Sequence, residues 1–120
     1  MTIRIAAWNV WHQTDPLPMP EELVAALLEL KPQVMVLTEF VPAEITKPNR
    51  SRKPFFAALE RAGMTWLLPS YGPEISRDGK RNHTLIASTI KMEPGDLKAD
   101  KTDMPGPTNF LHVRFPKDRL

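Results

Sequence analysis

The sequence predicts an α/β fold, and three features of its first third carry that expectation. Ile3–Asn9 (Ile-Arg-Ile-Ala-Ala-Trp-Asn) reads as a strand, and a helical repeat lies between Pro20 and Pro32. Val34, Met35, Val36 and Leu37 then form the continuous apolar run of a buried parallel strand. Strand, helix and strand in that order make a parallel pair with a right-handed crossover, so both strands end on one edge of the sheet.

In the first strand Ile3, Ile5 and Ala7 alternate with Arg4, Ala6 and Trp8, the pattern of a strand covered on both faces. Val10–Pro20 holds three prolines and Asp15 and is read as a loop carrying Trp11 and His12. Pro20 suits the first turn of a helix, and Glu21 and Glu22 suit its positive end. Leu23, Leu27 and Leu30 repeat at helical spacing, Val24 and Leu28 widen the apolar face, and Pro32 stops the helix. After the strand that ends at Glu39, Val41–Lys53 is a polar, proline-bearing connection.

A second helix is predicted over Pro54–Ala62, burying Phe55, Phe56 and Leu59 and stopped by Gly63. Met64–Leu68 reads as a short strand closed by Pro69, and Ser70–His83, with Gly72, Pro73 and Gly79, as a long turn or surface loop. Thr84–Ile90 is another strand. Lys91–Pro107, rich in charge, proline and glycine, is expected to be a mobile excursion. Asn109–Phe115 sets Phe110, His112 and Arg114 against Leu111, Val113 and Phe115, a last strand with one wetter face.

At 120 residues the chain is one domain, 1–120, with a modest core. Its 42% apolar and 25% charged residues are globular rather than disordered composition. The absence of cysteine removes disulfides, thiolate metal sites and cysteine nucleophiles, and fits a reducing, cytoplasmic setting. No apolar run approaches the roughly 20 residues of a membrane span, and no signal-peptide pattern opens the chain. A net charge of +2 does not mark a nucleic-acid binder, although Lys47, Arg50, Arg52 and Lys53, and then Arg77, Lys80 and Arg81, form two local basic clusters.

The two strand ends carry the chemistry. Asn9 and Glu39 bring an amide and a carboxylate to the carboxyl edge of the sheet, where ligands of open α/β sheets collect. Both are hard oxygen donors of the kind that suit a magnesium ion and a phosphate ester. At Ile5-Ala-Ala-Trp-Asn9-Val and Lys31-Pro-Gln-Val-Met-Val-Leu-Thr-Glu39 the sequence resembles the endonuclease/exonuclease/phosphatase superfamily. Members of that superfamily open with an apolar strand ending in Asn, then a helix, then a strand of the type Pro-Asp-Val-hydrophobic-Gln-Glu. Arg81-Asn-His-Thr-Leu-Ile-Ala-Ser88 looks like the family's Gly-Asn-apolar-Leu-Ser strand without its Gly and without the Arg that often follows the Ser, and Asn109–Phe115 looks like the beginning of the next one.

The resemblance implies a half of a four-layer αββα sandwich, a mixed β-sheet covered by two helices on one face. It implies that Glu39 ligates Mg²⁺, or Mn²⁺ in its place, and that Asn9 helps hold the metal or the scissile phosphate. The remaining implied contacts are Asn82 and His83 against the phosphate of a phosphoester substrate, nucleic acid among the candidates. His12 and His83 do not occupy the place of the family's catalytic histidine, which closes a much longer chain. Trp11, Trp66 and Tyr71 are read as packing residues rather than base-stacking platforms.

The family's second half supplies an Asp-x-Asn pair and a closing Asp-His pair, and neither occurs in these 120 residues. The implied protein is therefore the N-terminal half of a Mg²⁺-dependent phosphodiesterase or phosphatase, inactive by itself. One half alone is expected to leave an apolar sheet face bare. Three arrangements answer that: a fragment of a longer product, a complementing C-terminal half, or a homodimer packed sheet to sheet. The alternative function is a non-catalytic nucleic-acid-binding or assembly module that reuses the fold, with the basic clusters on phosphate backbone. A nucleotide-binding domain is a poor fit, since no glycine-rich loop follows the first strand.

Overall fold

The computed structural model describes residues 2–10, 21–40, 53–70, 83–97 and 111–116. Within them lie β1 (Ile5–Asn9), α1 (Glu21–Glu29), β2 (Val34–Phe40), α2 (Lys53–Arg61), β3 (Trp66–Pro69), β4 (His83–Ser88), β5 (Glu93–Pro94) and β6 (Val113–Arg114). Four strands form one sheet in the order β1-β2-β4-β3, and β5 and β6 pair as a separate antiparallel ribbon. β1 and β2 are parallel, from Ile5 beside Val34 to Asn9 beside Thr38. β4 runs antiparallel to β2 and β3, so the sheet is mixed.

Each helix stops for a local reason. At the end of α1, Lys31 takes a φ of 47°, and its N–H donates to Leu28 O at 3.0 Å. Pro32 has no N–H with which to close the usual paired cap. A guanidinium serves the helix end instead: Arg4 Nη1 donates to Leu30 O at 3.0 Å. α2 ends in a complete Schellman motif, with Gly63 at φ 81°, Gly63 N donating to Glu60 O and Met64 N to Leu59 O, both at 2.9 Å. Leu59 and Met64, the hydrophobic pair that accompanies this motif, are both buried.

The two helices share one face of the sheet. Leu27 of α1 and Phe55 and Leu59 of α2 pack with Met35, Leu37, Phe40, Leu85 and Ala87. Phe40, Phe55 and Phe56 cluster with ring centroids 5.5–6.4 Å apart. Val34 and Ile86 face the other way, where they are buried with Met92 and packed by Leu111, Val113 and Phe115. The β5–β6 segment thus covers the sheet face that was expected to be bare. Leu111, Val113 and Phe115 are the inward row that the alternation of Asn109–Phe115 predicts, and exposed Arg114 belongs to the wetter row.

Three further expectations are corrected. β1 is not covered on both faces: among the described strands it lies at the edge of the sheet, leaving Ile5 62% and Trp8 42% exposed. Trp66, read as a packing residue, is 40% exposed on the opposite edge strand. Of Lys91–Pro107, the first part is ordered: Glu93 and Pro94 pair with Arg114 and Val113. Trp11, His12, Tyr71, Asn82 and the basic residues Lys47, Arg50, Arg52, Arg77, Lys80 and Arg81 lie outside the described residues.

At the rim where β2 begins, Gln33 ties three elements together. Its Oε1 accepts from Arg4 N at 2.7 Å, its N–H donates to Arg4 O at 2.9 Å, and its carbonyl accepts from Thr89 N at 2.9 Å and Ser88 Oγ at 3.1 Å. This clamp sets the register that brings the other ends of β1, β2 and β4 level with one another.

Candidate site at the carboxyl rim of the sheet

β1 and β2 both end at the rim opposite Gln33, and β4 begins there. Asn9 is beside Thr38 in the parallel ladder, one residue before Glu39, and Val10 N donates to Thr38 O at 3.0 Å to hold the strand ends together. Neighbouring strands in a sheet run about 4.8 Å apart, so Asn9 and Glu39 occupy adjacent strand ends. The sequence-derived juxtaposition of these two residues is present in the fold. Asn9 is exposed and Glu39 part-exposed.

Glu39 is held there by an irregularity. Leu37 pairs with Leu85 and Phe40 with His83, so Thr38 and Glu39 together stand opposite Thr84 alone, a β-bulge. Strict alternation from Met35 and Leu37 would send Glu39 under the helices and Phe40 to the far face. The extra residue reverses this, and Phe40 joins the helix-side core, fully buried. Glu39 absorbs the turn with a φ of 55°, a conformation in which L-residues other than Asn and Asp are uncommon. Bulges of this type ordinarily place glycine at the left-handed position. One carboxylate oxygen, Oε2, is shut off from solvent although the residue as a whole is part-exposed.

By alternation with buried Val10 on the helix side, Asn9 belongs to the opposite face, the face of Val34 and Ile86. His83 starts β4 at the same rim but in the row of Leu85 and Ala87, on the helix side. It is 1% exposed, and both ring nitrogens are closed off from solvent. The structure therefore places Asn9 and Glu39 on adjacent strand ends and His83 in the helix-side row of β4, paired with Phe40. Comparison with protein-family models, with curated proteins and with solved structures gave no match.

Two residues at this rim escaped sequence reasoning. Thr38, the first residue of the bulge, lies beside Asn9, and Thr84 lies across from the bulge. A signal was present: in Met35-Val-Leu37-Thr-Glu39-Phe40 the polar Glu39 falls on the apolar row and Phe40 falls off it. A broken alternation of this kind is what a one-residue bulge produces.

The donor set at the rim is a carboxylate and a primary amide. Two hard oxygen donors fit Mg²⁺, which dehydrates reluctantly and keeps several of its waters. Among the described residues no group of three or more His, Asp or Glu is placed to hold a metal ion, so water would complete the coordination of any ion bound between Asn9 and Glu39. Two surface clefts lie elsewhere. One, of about 400 Å³, runs between α2 and β3 past Lys53, Phe56, Glu60 and Leu67. The other, of about 360 Å³, is near Gln33 and Thr89. Neither is lined by Asn9 or Glu39. No helix among the described residues is long and apolar enough to cross a membrane.

Proposed function

We propose that this rim is the dication-binding half-site of a magnesium-dependent phosphoester hydrolase domain of the endonuclease/exonuclease/phosphatase type, hydrolytically incomplete as these 120 residues stand. In this reading the helices and the four-stranded sheet are two layers of a four-layer sandwich, and the β5–β6 ribbon begins the second sheet. The observation that carries it is Glu39 in a left-handed bulge at the strand end beside Asn9. A carboxylate kept at a strand end beside Asn9, where glycine would sit without strain, supports reading it as a side chain retained for its chemistry.

Mg²⁺ bound there neutralises phosphate charge and stabilises the leaving oxygen. Glu39 offers its anionic oxygen to the ion. The Asn9 amide, being uncharged, donates N–H to a phosphate oxygen without repelling the ester. A primary amide carries both a donor and an acceptor, so its carbonyl oxygen would serve the ion while its N–H serves the ester. The sequence contains no Asp-x-Asn and no Asp-His pair, so no group of that kind is present to activate the attacking water.

The test is to give the purified chain Mg²⁺ with a phosphodiester oligonucleotide and with phosphomonoester substrates. The expected result is Mg²⁺-dependent retention of the phosphodiester without turnover, lost in Glu39→Ala. Turnover that disappears in Glu39→Ala would show the machinery to be complete. Binding that ignores both Mg²⁺ and Glu39→Ala, but falls with salt and with replacement of Arg50 and Arg52, would favour the non-catalytic nucleic-acid module instead.

A further inference from the structure

We propose that the outer edge of β1 is an interaction surface for a second copy of this chain. The two β1 strands pair antiparallel across a two-fold axis at Ala7. The ladder with β2 fixes which groups that edge offers. Val34 N donates to Arg4 O at 3.2 Å and Val10 N donates to Thr38 O at 3.0 Å. In a parallel ladder every second residue turns its backbone to the neighbour, so Arg4, Ala6, Trp8 and Val10 face β2. Ile5 and Ala7 turn their N–H and C=O groups the other way, and no described strand lies beyond them.

Proteins keep open strand edges from pairing by means of proline, charge or bulges. β3, the opposite edge, has such a guard. Ser70 N donates to Thr84 O at 2.9 Å, so Pro69, next along the strand, faces outward with no N–H to offer. β1 has no proline, charge or register shift from Ile5 to Trp8. The flanking charge of Arg4 is drawn back onto the end of α1 by the 3.0 Å bond to Leu30 O. Apolar side chains stand open instead, Ile5 at 62% and Trp8 at 42% exposure.

A second copy is the partner because the strand complements itself. About Ala7, Ile5 of one copy comes opposite Asn9 of the other, and Ala6 comes opposite Trp8. Ala7 meets its own counterpart and exchanges both backbone bonds with it. Ala6 and Trp8 then form the closely spaced, non-hydrogen-bonded kind of pair, a large ring over a methyl group on either side of the axis. Charge selects the antiparallel arrangement. Within the β1–α1–β2 unit, the rim where β1 starts carries Arg4 and Lys31 against Glu29, a net positive charge. The rim where β1 ends carries Glu39, with Glu22 on the first turn of α1. Antiparallel pairing sets the basic rim of each copy beside the acidic rim of the other, whereas parallel pairing sets like beside like. The sheet face around Val34 and Ile86 is already covered by Leu111, Val113 and Phe115, so the second copy adds at the edge and not on the face.

The chain contains no cysteine, which permits a register-specific test. Ala7→Cys places two thiols across the axis on Cα atoms about 5.5 Å apart, within the about 4.4–6.8 Å that a disulfide spans. Mild oxidation should link Ala7→Cys into a covalent dimer and leave Ile5→Cys, whose counterparts are far out of register, unlinked. Sedimentation velocity without divalent ions, from about 10 μM to about 500 μM, should show the wild type passing from monomer toward dimer. Ala7→Pro removes an outward N–H and no bond to β2, and Ala7→Lys sets like charges directly opposite each other. Each should weaken association by about 10-fold or more, with thermal melts confirming that the variants fold. Ala7→Lys, at an exposed position, decides the matter where the proline disturbs the strand. A wild type that is monomeric throughout overturns the proposal and leaves the edge to a different chain. Dimerisation unchanged by Ala7→Lys, or linkage through Ile5→Cys rather than Ala7→Cys, overturns it as well.

Discussion

Lys31 and Glu39 hold φ values of 47° and 55°, and for an L-residue that conformation costs about 1–2 kcal/mol. The two positions differ in what they obtain for it. Lys31 ends α1, a place where glycine is the commoner choice. Lys31→Gly should therefore stabilise the fold by about 0.5–1 kcal/mol after the entropy that glycine adds to the unfolded chain, with no effect on cation binding. Glu39→Gly should bring a similar gain, about 4 °C in Tm for a domain of this size, and abolish binding. Glu39→Ala keeps the Cβ and the strain, so it should lose binding without the gain. Urea unfolding midpoints measured without divalent ions check all three; a Glu39→Gly variant no more stable than Glu39→Ala would show that the left-handed backbone at this position stores no strain. His83 makes a separate residue-scale test. With 1% exposure it should resist a histidine-acylating reagent in the folded protein while part-exposed His112 reacts, and equal rates would return His83 to the accessible rim.

At the scale of elements, the ribbon depends on one close approach. A Cβ on Gly95 would overlap the imidazole of His112, whose Nδ1 accepts from Leu97 N at 3.0 Å, while Gly95 N donates to His112 O at 2.7 Å. Gly95→Ala must push the ring aside, losing that bond and crowding the turn, at about 2 kcal/mol. In a His112→Ala background the same substitution should cost little, and a double-mutant cycle by urea denaturation measures the difference; additive losses would place the clash elsewhere. The Arg114 contacts to Glu93 (3.5 Å) and Asp96 (3.6 Å) are solvent-exposed and contribute little by comparison. These elements also divide what was legible from what was not. α1, β2, α2 and β4 were readable because each carries its own periodicity or continuous apolar run, and Gly63 and Pro32 announce the helix ends. β5 was not, because Glu93 and Pro94 have no strand character of their own and are ordered only by pairing with residues about 20 positions later. The same limit applied at the site. The approach of Asn9 to Glu39 follows from βαβ handedness and the bulge leaves a trace in the broken alternation at Glu39-Phe40, whereas the place of Thr84 depends on the pairing of β2 with β4, which no local pattern encodes.

Across the whole molecule, the apolar surface is distributed differently from what half of a sandwich implies. The face opposite the helices is filled by Met92, Leu111, Val113 and Phe115, while four of the exposed large apolar side chains among the described residues lie on the two edge strands, Ile5 and Trp8 on β1 and Trp66 and Leu67 on β3, and Leu30 and Leu97 lie outside the sheet. Met92, 4% exposed beneath the ribbon, should therefore be a core residue: Met92→Ala is expected to cost about 2–3 kcal/mol by urea denaturation, and a cost near zero would mean that the ribbon does not seal the sheet. The sheet also separates its two rims by its full length, with Gln33 and Thr89 at one end and Asn9, Glu39 and Thr84 at the other. That separation makes the position of a bound ion readable. The most direct measurement is an amide NMR spectrum titrated with substoichiometric Mn²⁺, whose paramagnetism broadens nearby resonances. Broadening should centre on Asn9, Val10, Thr38, Glu39 and Thr84, leave Gln33 and Thr89 sharp, and vanish in Glu39→Gln; broadening centred at the Gln33 rim, or unchanged by that substitution, would contradict a dication site between Asn9 and Glu39.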